Sequence, residues 1–168
     1  MTGAELRRRL RRLRAFVCDV DGVLTDGGLY YGPGGPALKR FDVKDGMGLR
    51  LLRDAGLGLA WISGESGPIL KARAAKLKIR DVFLGVEDKG DVLRRYLKAK
   101  GVDPAACAYA GDDVNDLAPL RMAGVAFAPA DAVPAARRAA HWTSSRPGGF
   151  GAVREMCDLI LAARGDSA

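Results

Sequence analysis

Four short stretches of the sequence place acids, a hydroxyl, a lysine and glycines where apolar runs end. The first apolar run leads into Asp19-Val20-Asp21-Gly22-Val23-Leu24-Thr25-Asp26-Gly27. A second ends in Ser63-Gly64-Glu65, Lys89 follows Asp88 at the start of an amphipathic segment, and a further run leads into Gly111-Asp112-Asp113-Val114-Asn115-Asp116. Clustered carboxylates repel unless a cation neutralises them, and all-oxygen ligation by few protein groups is the preference of Mg²⁺. A hydroxyl, a lysine and glycine N–H groups suit the three oxygens of a phosphoryl group. The combination points to phosphoryl transfer. Asp19 can attack phosphorus to form an aspartyl phosphate, while Asp21 can protonate the leaving oxygen and then activate water. One carboxylate could not serve both steps.

Such residues meet only if the chain brings the ends of several strands to one edge. The alternation of apolar runs with amphipathic segments predicts βαβ units around a doubly wound, mostly parallel sheet of the Rossmann type, whose ligands lie beyond the carboxyl ends of the strands. Strands are expected at 15–20, 57–62, 81–84, 106–110 and 125–128, with a short one at 141–143. Helices are expected at 47–55, 67–77, 89–100, 114–123, 132–140 and 150–163. One segment breaks the alternation: Leu29–Tyr31 and Leu38–Val43 read as short strands around the tip Gly32-Pro33-Gly34-Gly35-Pro36. That is a hairpin inserted between the first strand and the first helix of the sheet.

In that order and spacing, Asp19-x-Asp21-Gly22-x-Leu24-Thr25-Asp26, Ser63-Gly64, Lys89 and Gly111-Asp112-Asp113-x-Asn115-Asp116 resemble the four motifs of the haloacid dehalogenase superfamily of phosphatases. The hairpin, Asp45-Gly46-Met47-Gly48 and Gly148-Gly149-x-Gly151-Ala152-Val153-Arg154-Glu155 narrow the resemblance. They are similar to the small capless phosphatases of 3-deoxy-2-keto sugar acid phosphates, typified by the 3-deoxy-D-manno-octulosonate 8-phosphate phosphatases. The likeness runs from residue 14 to 164.

This resemblance implies Asp19 as nucleophile and Mg²⁺ ligand, and Asp21 as general acid/base whose backbone carbonyl also meets the metal. Asp112 is implied as a metal ligand, with Asp113 acting through a metal-bound water or a hydrogen bond. Ser63 and Lys89 would hold the phosphoryl group, helped by the N–H groups of Gly22 and Gly64, and Asn115 and Asp116 would orient the loop or Lys89. It further implies a homotetramer in which the hairpin of one subunit, residues 28–43, covers the neighbour's site. The aromatic content of that hairpin, Tyr30, Tyr31 and Phe41, suits such a role, because an isolated apolar hairpin is marginal in water.

The substrate is expected to be the phosphate monoester of a sugar acid, either the eight-carbon 3-deoxy-D-manno-octulosonate 8-phosphate or the nine-carbon 2-keto-3-deoxynononate 9-phosphate. Octulosonate enzymes commonly carry Arg where this chain has Glu65, and often a basic residue where it has Phe150. Glu65, Arg73 and Lys76 instead reproduce a pattern of relatives that prefer the nine-carbon acid. Arg73 and Lys76 stand three apart on a predicted helix and can face one ligand.

Two other readings use similar residues. A phosphoacceptor signalling domain also pairs Mg²⁺ with an acceptor Asp, a hydroxyl and a Lys, but its acid pair ends the first strand and its acceptor a middle one. A non-catalytic tetramerisation domain related to sugar-activating enzymes would not need Asp19, Asp21, Lys89 and Asp112 intact. Dehalogenation would not need an acid at position 21.

Composition agrees with one ordinary domain over residues 1–168, with 48% of residues hydrophobic and 28% charged. No window approaches the roughly 18 uninterrupted apolar residues of a membrane span. Asp19 interrupts the first apolar run before it reaches the length of a leader core, so a cytoplasmic enzyme is expected. The net charge of +7 is concentrated in residues 1–14, which hold six arginines against the single acid Glu5. Leu6, Leu10 and Leu13 give that segment a helical apolar stripe, so a solvated N-terminal helix is read there and neither a nucleic-acid nor a membrane partner is assigned. Cys18, Cys107 and Cys157 lie far apart and suggest neither disulfides nor zinc. His141, distant from every motif, is read as structural.

Overall fold

In a computed structural model, which describes residues 2–165, six parallel strands form one sheet in the order β5-β4-β1-β6-β7-β8. They are β1 (Ala15–Cys18), β4 (Gly58–Ser63), β5 (Asp81–Leu84), β6 (Cys107–Ala110), β7 (Val125–Ala128) and β8 (Trp142–Thr143). The outermost ends of the domain read from sequence, Met1 and residues 166–168, lie outside the described residues. The first three strands in chain order run outward to one side of β1 and the remaining three to the other. The order therefore reverses between β1 and β6, where a crevice opens at the strands' carboxyl ends.

Central strands β1, β6 and β7 are buried along their whole length, as a parallel sheet covered on both faces requires. Alternate residues serve opposite layers. Phe16, Cys18, Trp61 and Phe127 pack with α1 (Gly3–Leu10), α2 (Val43–Asp54), α3 (Pro68–Leu77) and α7 (Ala152–Arg164). Val17, Ala60, Ile62 and Tyr109 pack with α4 (Lys89–Lys100), α5 (Leu117–Met122) and α6 (Pro134–Ala139). The N-terminal segment lays Leu10 and Leu13 into the first layer, with Leu6 partly buried against it. Two of its arginines cap distant carbonyls, Arg9 at Gly124 and Arg11 at Ala163. Among the described residues no helix is long and apolar enough to cross a membrane.

The hairpin differs from its expected outline. Its strands are β2 (Tyr30–Gly32) and β3 (Gly35–Leu38), so the expected five-residue tip contracts to a two-residue turn, Pro33-Gly34. Gly35 makes this possible with φ +104, a conformation L side chains rarely adopt. Of the expected second strand at 38–43 only Leu38 is strand; residues 39–42 are a linker folded back on the body, where Phe41 bridges to Thr25. Helix α2 starts a turn earlier than its apolar pattern suggests, because Asp42 accepts from the Lys44 N–H at 2.6 Å and caps it. The helix expected at 114–123 begins as a single tight turn at Val114–Asp116 before α5. Helix α7 starts at Ala152, after Gly149 and Gly151 have both taken positive φ.

Candidate active site

Asp19 follows β1 directly, and its N–H donates to Ala110 of β6 at 2.9 Å, so the sheet ladder itself holds the residue at the crevice. One carboxylate oxygen, Oδ1, accepts from the Val20 N–H at 2.6 Å, and the other, Oδ2, lies 2.8 Å from the Nζ of Lys89. Lys89 is the first residue of α4, a position where the helix dipole disfavours a cation. Its side chain is 1% exposed and bonds a second carboxylate, Asp116 Oδ1, at 2.9 Å. A lysine is almost never buried unless paired, so these two acids account for its place.

Asp116 is the hub of the loop after β6. Its Oδ1 also accepts from the Tyr109 hydroxyl at 2.8 Å, and its Oδ2 accepts from the N–H groups of Asp112 at 3.0 Å and Asp113 at 3.4 Å. This carboxylate is saturated and orients both the loop and Lys89. Tyr109 was not singled out from sequence; the only signal was a phenol inside an otherwise small, apolar strand. Asp113 is exposed and spends its side chain on the cap of the following turn, accepting from the Val114 N–H. Asn115 is exposed on that same turn.

Asp19, Asp112 and Asp116 offer ligand atoms within 4.8 Å of one another. Asp112 Oδ1 is buried with no protein partner. Burial, followed by the charge of Asp116, pushes Asp19 up to about 7 against the pull of Lys89. Burial, followed by Asp19 and Asp116, pushes Asp112 up to about 8. Burial alone would lower Lys89, but Asp19 and Asp116 override it and hold the ammonium above its ordinary value. One lysine thus leaves an excess of negative charge and an orphaned oxygen, and this donor set fits a small, hard, oxygen-seeking cation.

Gly22 sits closer to this cluster than its expected role suggests. A Cβ there would fall 2.0 Å from Asp112 Oδ2, so the missing side chain is what lets the two loops close. Its N–H donates to Thr25 Oγ1 at 3.2 Å. Ser63 is the last residue of β4 and 1% exposed; its hydroxyl accepts from the Glu65 N–H at 3.1 Å, and Gly64 between them is exposed. The Asp21 carboxylate is not one of the three grouped acids and pairs with Lys39.

Arg73 and Lys76 do share one face of α3, but Glu65 does not join them. Both line a cavity of about 350 Å³ between α2 and α3, with Met47, Arg50 and Lys78. Arg73 donates to the Asp42 carbonyl at 3.1 Å and lies 5.4 Å from the Phe41 ring centre, anchored to the hairpin's return path. Phe150 is 44% exposed beneath the Arg40 guanidinium, 3.9 Å from its ring centre. His141 accepts from the Ala126 N–H through Nδ1 at 2.9 Å, and all three cysteines are buried and free.

Residues 74–148 match the family model described as haloacid dehalogenase-like hydrolase. The chain is 42% identical over 162 residues to a Haemophilus influenzae 3-deoxy-D-manno-octulosonate 8-phosphate phosphatase, covering 96% of this chain and 90% of that protein. The Moraxella catarrhalis enzyme of that name, solved with magnesium, phosphate and KDO, superposes with a TM-score of 0.95 at 36% identity, over 98% of this chain and 95% of that one. A cobalt-bound Haemophilus influenzae structure gives 0.91 at 43% identity, over 94% and 92% of the respective chains. With likeness of that degree along almost its whole length, the chain belongs to the 3-deoxy-D-manno-octulosonate 8-phosphate phosphatase family of haloacid dehalogenase-like hydrolases.

Proposed function

We propose that the protein is a Mg²⁺-dependent phosphatase that hydrolyses the phosphate monoester of a 3-deoxy-2-keto sugar acid through an aspartyl phosphate on Asp19. The observation that carries this reading is the buried Lys89 between Asp19 and Asp116 at the point where the strand order reverses. Asp19, Asp112 and the backbone carbonyl of Asp21 would hold the metal. When bound, Mg²⁺ supplies positive charge that lets an anionic nucleophile and a phosphate dianion approach.

The chain's own residues supply the rest. A carboxylate oxygen of Asp19 forms a bond to phosphorus as the ester P–O bond breaks, and protonated Asp21 gives its proton to the departing sugar oxygen. Asp21, now a carboxylate, takes a proton from water as that water attacks the same phosphorus, releasing Asp19 and inorganic phosphate. The Ser63 hydroxyl and Lys89 ammonium hold the phosphoryl oxygens in both steps, with Gly64 beside them. Asp116 keeps Lys89 and the Asp112 loop in register for this.

The relatives named above act on the eight-carbon octulosonate phosphate, and that is the substrate we assign. Glu65 favours the nine-carbon nononate phosphate as the second reading. Glu65, Arg73 and Lys76 are the residues we assign to that choice. We further propose a cytoplasmic homotetramer in which hairpin 28–43 covers the neighbouring subunit's site; the exposure of Leu29, Tyr30, Tyr31 and Leu38, each half or more, supports the covering role. Phosphate release from both sugar-acid phosphates, measured with Mg²⁺ and with EDTA, tests the reading. Mg²⁺-dependent turnover of the octulosonate ester is expected, and turnover of neither ester would overturn it.

A further inference from the structure

The Asp21 carboxylate treats its two oxygens very differently. Oδ1 lies 2.5 Å from the Nζ of Lys39 and accepts a longer hydrogen bond, 3.4 Å, from the Thr25 hydroxyl. Oδ2 is buried and has no protein partner. Thr25 is wholly buried, and its Oγ1 accepts from the N–H groups of Gly22 and Gly27, each at 3.2 Å. With its acceptor side taken by two N–H groups, the hydroxyl proton is left to point at Asp21.

Lys39 comes from neither the sheet nor a helix. It lies in the linker between β3 and α2, yet its side chain is only 3% exposed. Burying an ammonium is costly without a paired acid, so the contact with Asp21 is what justifies its position. The neighbouring residues hold it there. Arg40 donates to the Gly149 carbonyl and stacks on Phe150, and Phe41 bridges to Thr25. Residues 39–41 thus grip the Asp21–Thr25 loop and the glycine segment packed on it. A Cβ at Gly148 would lie 1.9 Å from the Gly22 carbonyl, which shows how tightly that segment seats.

We propose that Lys39 is a positioning residue that clamps Asp21 Oδ1, so that Oδ2 is the oxygen that exchanges protons during catalysis. The proposal rests on the acid/base reading of Asp21. As the ester P–O bond breaks and Asp19 bonds to phosphorus, the proton on Oδ2 passes to the leaving sugar oxygen. Oδ2 then takes a proton from the water that cleaves the Asp19–phosphorus bond. A carboxyl free to rotate would present the wrong oxygen or the wrong angle for part of the time, and proton transfer depends steeply on that geometry. The clamp also gives the hairpin a task within its own subunit.

Leaving-group dependence separates this role from a structural one. Values of kcat/KM report transfer of the phosphoryl group to Asp19, and that step needs a proton for an alkyl alcohol but hardly for p-nitrophenolate. A series of phosphate monoesters spanning these leaving groups is assayed with the Mg²⁺-loaded enzyme. Lys39→Met is expected to lower kcat/KM roughly 10- to 100-fold more for an alkyl ester than for p-nitrophenyl phosphate, a fraction of a full acid–base contribution. Lys39→Arg should recover part of that difference. In an Asp21→Asn background, Lys39→Met should add no further leaving-group selectivity.

Thermal unfolding shows whether each variant is folded; should Lys39→Met not fold, Lys39→Gln takes its place in the same series. An equal loss across all leaving groups would mean that Lys39 supports the loop or contacts the phosphoryl group, and would overturn the proposal, as would no loss. If Asp21→Asn itself shows no leaving-group selectivity, the acid/base reading of Asp21 fails and the clamp fails with it. If Asp21→Asn is selective and Lys39→Met is not, the clamp alone fails.

Discussion

Asp19 and Asp21 stand two positions apart, yet their surroundings assign them different work. Asp19 is buried against a lysine and two further carboxylates, whereas Asp21 faces Lys39 from the other side of the loop. Asp19→Asn is expected to abolish phosphate release while preserving the fold, because the amide keeps the shape and loses the attacking oxygen. Asp21→Asn should cost roughly 10² to 10⁴ in rate on the sugar-acid ester, the usual worth of a general acid–base group. Near wild-type release by the Asp19 variant would remove the nucleophile assignment. Arg73 presents a choice that one assay resolves. Its guanidinium already bonds the Asp42 carbonyl, while its Nε is buried and unpartnered. If it reads the substrate's carboxylate, Arg73→Ala should raise KM strongly for a sugar-acid phosphate and leave p-nitrophenyl phosphate hydrolysis almost unchanged. Equal losses on both would assign it to anchoring α3 on the hairpin linker.

The elements are tied together by a buried acid outside the carboxylate cluster. Asp45, 1% exposed in the first turn of α2, accepts from the N–H groups of Gly151 at 3.3 Å and Arg154 at 2.7 Å. It satisfies the start of α7 from another helix, a task that capping residues ordinarily perform from within the same chain segment. Burial pushes its carboxyl from the usual range up to about 6, although the backbone N–H groups oppose this. Its folded value therefore exceeds its unfolded one. The folded state binds the proton more tightly, so this contribution to stability is full below about 4 and lost as pH rises through about 6. In Asp45→Ala that dependence disappears. The wild type should exceed the variant in stability by more at pH 4 than at pH 7, the difference narrowing by up to ~3 kcal/mol in urea denaturation. A gap independent of pH would mean that Asp45 titrates alike in the folded and unfolded states.

The hairpin presents Tyr31 at 67% and Leu38 at 66% exposure, an apolar surface that water alone covers poorly. A homotetramer is expected at micromolar concentration, and charged replacements at both residues should yield smaller species with reduced turnover by light scattering and phosphate release. A fully active wild-type monomer would end the trans-covering argument. Activity should require Mg²⁺ and fall with Ca²⁺, whose larger radius and higher coordination number suit the compact Asp19–Asp112 cluster poorly. Full turnover in excess EDTA would refute the metal dependence.

The parallel sheet was legible in the chain because fully buried strands read as continuous apolar runs, and strand 125–128 falls where such a run lies, while the half-buried edge strand 81–84 follows the shorter run Val82-Phe83-Leu84. The carboxylates at 19, 21, 112 and 116 were legible for a related reason: polar residues placed after such runs emerge at one sheet edge, where Ser63 ends β4 and Lys89 opens the helix that follows β5. Contacts between residues remote in sequence carry no local signature. The start of α2 depended on the Asp42 cap rather than on apolar spacing, and the hairpin outline depended on a linker drawn back to Thr25. Nothing in the neighbourhood of Lys39 announces that its ammonium reaches Asp21, eighteen positions earlier, nor does Tyr109 announce Asp116. Residue type and hydrophobic pattern are local properties, so the groups able to perform phosphoryl transfer and the sheet edge that collects them can be read from the chain. Which acid meets which cation is fixed by packing, because burial and charge pairing depend on all the elements coming together at once.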